Sequence, residues 1–124
     1  MRTLLPVLAL ALTAAAPPSA PEQRIDVALS NFKFTPSTIL LVHGQSYVLH
    51  LTSSGGHSFA AKDFFAAAAM PAADRAKIRD GKVELDSDTT VDLHFTAPGA
   101  GTYPIKCTHL LHASFGMTGK FVVN

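Results

Sequence analysis

Cys107, His112 and Met117 stand near the end of the chain in the pattern Cys-x4-His-x4-Met. Strand-like residues bracket them, Thr102 to Cys107 before and Lys120 to Val123 after, with Gly116 and Gly119 lending flexibility between. A loop whose two ends are held by strands can turn all three side chains toward one point. Cys107 is the only cysteine of the 124 residues, so no disulfide within the chain uses it. It is a free thiol, an intermolecular bridge or a metal ligand. An unprotected thiol is a liability in an oxidising compartment, which favours the ligand role.

Short segments of period two dominate the remainder. Ile25 to Leu29 alternates apolar and polar residues, with Phe32 and Phe34 continuing the alternation; Thr38 to Val42 and Ser46 to Thr52 follow. Lys82 to Leu85, Thr89 to Thr96, Thr102 to Cys107 and Lys120 to Val123 complete the set, separated by turn residues such as His43-Gly44-Gln45 and Pro98-Gly99-Ala100-Gly101. This pattern predicts an all-β fold, a Greek-key antiparallel β-sandwich. One stretch breaks it. Around residues 63–80 the composition predicts a short helical insertion, with Asp63 capping a helix that starts at Phe64. Pro71 opens a second piece, and Gly81 is its left-handed stop.

Residues 1–20 read as a secretory signal: Arg2, an apolar run from Leu4 to Ala16, then small residues and proline. The run is too short to span a bilayer, which takes about 20 apolar residues. Cleavage is expected between about residues 14 and 20, leaving one domain over 21–124 in the periplasm or otherwise exported. Ten Lys and Arg face nine Asp and Glu; losing Arg2 makes the balance nine to nine. A neutral domain without a basic stripe argues against nucleic-acid binding.

Thiolate, imidazole and thioether are the donors of a trigonal blue-copper site, which needs a second histidine. His57, after the turn Gly55-Gly56, is the candidate, and its distance in sequence would tie the two halves of the sandwich together. His109 is the competitor of His112, but a loop closing from Cys107 onto it would span a single residue. His43, His50 and His94 show no ligand spacing.

The chain resembles the cupredoxins, the small blue-copper proteins. Phe32-Lys33-Phe34-Thr35-Pro36 with Ile39 to Gly44 is similar to their opening strands, and His57-Ser58-Phe59 to their first-ligand segment. Pro98 to Tyr103 followed by Cys107, His112, Met117, Gly119 and Val122-Val123 is similar to the terminal block of rusticyanin-type and plastocyanin-like members. The resemblance implies one copper ion, with His57, Cys107 and His112 in the trigonal plane and Met117 as a long axial ligand. It also implies that Ser58 and Thr108 strap the ligand loops together and tune the thiolate. Two features depart from the family pattern: Leu110-Leu111 stands where many relatives have Pro-Gly, and His109 is additional.

Leu110, Leu111, Ala113 and Phe115 surround His112 and are expected to form an apolar docking patch, with Phe115 the residue that turns inward. The resulting expectation is a monomeric, non-enzymatic carrier of single electrons by Cu(I)/Cu(II) cycling. It would meet a redox donor and acceptor transiently and insert in no membrane once the signal is removed. The alternative is a periplasmic copper-handling protein for tolerance, storage or delivery, using the same site. An oxidase-type enzyme would need further copper centres, and a metal-free adhesion sandwich would leave the donor set without a purpose.

Overall fold

The computed structural model describes residues 21–124; the signal-peptide reading falls on residues 1–20, outside the described residues. Among the described residues nine strands form two sheets. The first contains β1 (Gln23–Ser30), β2 (Lys33–Thr35), β4 (Ser46–Ser53) and β7 (Thr90–Thr96), in the order β2-β1-β4-β7. The second contains β3 (Thr38–Leu41), β5 (His57–Ala60), β6 (Lys82–Leu85), β8 (Gly101–Lys106) and β9 (Thr118–Val123), in the order β3-β9-β8-β5-β6. The period-two pattern supplies the core between them. Tyr47, Leu49 and Leu51 of β4, Leu93 and Phe95 of β7, and Phe121 and Val123 of β9 are buried, while the residues between them are not. Among the described residues no helix is long and apolar enough to cross a membrane.

The expected sandwich is present, but its strand pairing is mixed. β1 runs parallel to β4, and β3 parallel to β9; the other pairs are antiparallel. The chain leaves the first sheet after β2, adds β3 to the second, and returns to lie beside β1 in the same direction. Nothing in a single strand's alternation encodes which way its neighbour runs.

Phe32 does not prolong the first strand. It sits in the tight connection between β1 and β2 with φ 58°, and Ser30 pairs with Lys33 across that turn. Alternation continues through Phe34 because β2 folds back on β1 and buries Phe34 from the other arm of a hairpin.

The helical insertion is shorter than the composition predicts. It comprises α1 (Lys62–Ala67) and α2 (Ala72–Arg75). Ala61 occupies the cap position of α1, and no side chain caps it; Asp63 lies inside the first turn, where its charge suits the helix dipole. Pro71 is the residue before α2 rather than its first. Gly81 does not stop a helix. Asp80 and Gly81 both have positive φ, and Arg79 and Lys82 exchange backbone hydrogen bonds across them, the geometry of a two-residue hairpin turn. A Cβ on Gly81 would lie 2.7 Å from Cβ of Lys62, so glycine also admits the close passage of α1.

Asp74 of α2 fastens the insertion to the first sheet. Its buried carboxylate accepts from Lys77 Nζ at 2.8 Å and from both the backbone N–H and Nδ1 of His94, each at 3.0 Å. Burial alone would raise its pKa, but the donors from Lys77 and His94 outweigh it and hold the group below its ordinary value of 3.8. A lowered folded value means that the unfolded chain binds the proton more readily. The stabilisation is therefore complete above pH 3.8 and is lost as pH falls through the folded value. Asp74→Asn is expected to cost about 1.5–3 kcal/mol at neutral pH, the worth of hydrogen bonds to a charged group. In urea melts from pH 2 to 7, the variant should also show a flatter acid limb than wild type.

Candidate metal centre

Strand ends build the site. Cys107 directly follows β8 and Met117 directly precedes β9. The Cys107 N–H donates to the Met117 carbonyl at 3.1 Å, continuing the β8–β9 ladder past Lys106 and Thr118 and closing the neck of the loop. Within the loop the Met117 N–H donates to the His112 carbonyl at 3.0 Å, so the backbone folds tightly around His112. Cys107 and Met117 are buried, and His112 is partly exposed. His57 begins β5, the strand that meets β8 at Ala60 and Lys106.

His57, Cys107 and His112 converge, with one donor atom from each lying within 4.8 Å of the others. Nδ1 of His112 is 3.3 Å from Nδ1 of His57 and 3.4 Å from Sγ of Cys107. The opposite ring nitrogen of His57, Nε2, is 3.0 Å from the Ser54 carbonyl. A carbonyl can only accept, so Nε2 carries the proton and the Nδ1 lone pair faces Nδ1 of His112. Burial lowers the pKa of His57; the Ser54 carbonyl opposes that, and the facing His112 and His109 add to it. A neutral imidazole is the form that binds metal. Electron-pair donors aimed at one point repel unless a cation lies between them, so this set fits a soft, copper-type ion.

Ser58 and Thr108 join the two ligand-bearing segments. The Ser58 N–H donates to Cys107 Sγ at 3.4 Å, and Ser58 Oγ lies 3.8 Å from the same sulfur. The Thr108 N–H donates to Ser58 Oγ at 2.7 Å, binding the loop after β8 to β5. His109 is held at the edge of the site, with its Nε2 2.8 Å from Glu84 Oε2. His43, His50 and His94 are held elsewhere, by Pro98, Asp92 and Asp74.

The apolar surface differs from expectation in two ways. Phe115 faces outward, 64% exposed, and Met117, two residues on, takes the buried place instead. Leu110, at 86%, and Leu111 are also exposed, and Ala113 is partly so. Phe32 joins them from the β1–β2 turn, with its ring 5.2 Å from those of both His112 and Phe115. Asn31 before it was the available turn signal. Phe32 and Leu111 are the two bulky apolar residues with positive φ among the described residues. Both stand at this end, where left-handed backbone costs about 1–2 kcal/mol per residue.

Residues 21–124 match the family of copper binding proteins described as plastocyanin/azurin. A comparison with curated proteins found no match. Among solved structures, auracyanin B aligns with TM-score 0.62 at 21% identity, over 86% of this chain and 92% of its own. Dithionite-reduced auracyanin from the photosynthetic bacterium Roseiflexus castenholzii aligns with TM-score 0.60 at 22% identity, over 85% and 99%. Auracyanin A, a "blue" copper protein of the green thermophilic bacterium Chloroflexus aurantiacus, aligns with TM-score 0.59 at 21% identity, over 84% and 100%. At these identities the structures speak for the shared sandwich.

Proposed function

Because the chain belongs to the plastocyanin/azurin family of copper-binding proteins, we propose that it is an exported carrier of single electrons. One copper ion would be held by His57, Cys107 and His112, with Met117 as a fourth ligand. The observation that carries this reading is the mutual approach of the three donor atoms within 4.8 Å, with His57 and Cys107 at strand ends and His112 in the loop whose neck Cys107 and Met117 close. A bound copper ion supplies reversible one-electron exchange; the protein supplies rigidity and shelter. The buried thiolate and His57 keep water from the site, and the loop neck between Cys107 and Met117 holds their spacing in either state. This reading calls for no group that transforms a substrate.

Electrons would pass at the partly exposed edge of His112, inside the apolar rim of Phe32, Leu110, Leu111 and Phe115. Small apolar contacts suit brief redox encounters, and a neutral domain favours rapid release. Cyclic voltammetry of copper-loaded protein tests the function. A reversible one-electron wave supports a carrier; a sluggish wave with release of metal to an acceptor points to copper handling instead.

The rim carries its own prediction. Leu111→Asn replaces an apolar side chain with one that tolerates positive φ. Thermal stability should hold or rise slightly, and the potential should stay put. Electron self-exchange between copies, read from NMR line broadening, should slow about tenfold, the equivalent of 1.4 kcal/mol of lost encounter stabilisation.

A further inference from the structure

The outer face of β6 presents Lys82 and Glu84, with Val83 and Leu85 turned into the core. Glu84 Oε1 lies 3.6 Å from Lys82 Nζ, which donates to Thr108 Oγ1 at 3.3 Å. Thr108 Oγ1 is 2.8 Å from Ser58 Oγ, which is 3.8 Å from Cys107 Sγ. A continuous line of polar contacts thus runs from a surface ammonium to the buried sulfur, and the copper reading does not require its outer half.

Counting protons along the line gives it a direction. A hydroxyl has one proton and two lone pairs, and an ammonium can only donate. Thr108 Oγ1 therefore accepts from Lys82. An oxygen that accepts from a cation becomes a stronger donor and a weaker acceptor for its next partner. That bias sends the Thr108 proton to Ser58 Oγ, which already accepts from the Thr108 N–H. Both Ser58 lone pairs are then filled, and its own proton is left for Cys107 Sγ. Without the cation, Ser58 can turn its proton to Thr108 Oγ1, the nearer acceptor.

We propose that Lys82 is a positioning residue: by donating to Thr108 it aims the Ser58 hydroxyl at the Cys107 sulfur and raises the potential of the bound copper. The proposal rests on Cys107 being a copper ligand. A hydrogen bond to the thiolate withdraws electron density that the cupric state needs more than the cuprous, so losing it favours oxidation. Glu84 holds the ammonium within reach of Thr108.

The test measures reduction potentials of copper-loaded full-length protein. In Lys82→Met the ratio of oxidised to reduced protein at a fixed solution potential should rise three- to tenfold, the upper end being about 59 mV for one electron. Lys82→Arg keeps a donor and should stay near wild type. In a Thr108→Val background, where the line is cut, Lys82→Met should have less than half its original effect; Ser58→Ala is the second background should Thr108→Val fold poorly. An equal shift in both backgrounds would mean that Lys82 acts merely as a charge through space, and no shift at all would mean that it does not act on the site; either overturns the proposal. Wild-type protein that takes up copper without intense visible absorption would overturn the ligand reading beneath it, a separate and recognisable failure.

Discussion

Cys107→Ser should lose the intense visible absorption of the cupric protein completely, whereas wild type loaded with one copper ion should carry it. The absorption requires a thiolate bound to the metal, and no second cysteine exists to replace this one. The surroundings are arranged for sulfur: the side chain is buried, takes the Ser58 N–H at 3.4 Å and faces Nδ1 of His112 at 3.4 Å. A serine hydroxyl is smaller and remains protonated, so it supplies neither the charge nor the soft donor that holds cuprous ion. His57 and His112 remain in the variant and can retain some cupric ion, but colourlessly by comparison. A Cys107→Ser protein that kept the colour would refute the assignment.

The largest loss of stability is expected away from the metal, at Phe64. This residue brings α1 onto the end of the sandwich. It is fully buried, stacks on Phe121 with ring centroids 3.8 Å apart, and meets Phe95 and Tyr103 edge-on. Those partners belong to β9, β7 and β8, so one side chain joins both sheets to the insertion. Phe64→Ala should cost about 3–5 kcal/mol, the sum of lost transfer energy and an uncollapsed cavity. Calorimetry should record a fall in Tm of roughly 4–8 °C for each kcal/mol lost. Because only Ala61 separates α1 from β5, copper retention should weaken before global unfolding, through loosening of His57 and Ser58.

How far such features could be read from the chain depended on whether their cause was local. Alternation in Ser46 to Ser53 and in Thr90 to Thr96 reports one buried face, and both became strands with that face inward. The donors were legible for a related reason: thiolate and imidazole are rare, chemically specific groups, and the Cys107–His112 spacing suits a loop pinched between β8 and β9. Parallel pairing of β1 with β4 left no local trace, since direction is a property of the path between strands. Phe115 is exposed while Met117 takes the buried place, and Phe32 reaches His112 because a left-handed residue turns β1 back into β2. Lys82 lies 26 residues from Thr108 and becomes its neighbour only when β6 pairs with β5. Gly81 taken alone looks like the end of a helix, whereas with its companion Asp80 it forms a hairpin-turn pair.

Anomalous diffraction at the copper edge from crystals of the copper-loaded protein tests the central assignment most directly. A single strong peak should appear among Nδ1 of His57, Sγ of Cys107 and Nδ1 of His112. A peak beside His109 and Glu84, or one near Cys107 that leaves His57 unbound, would contradict it.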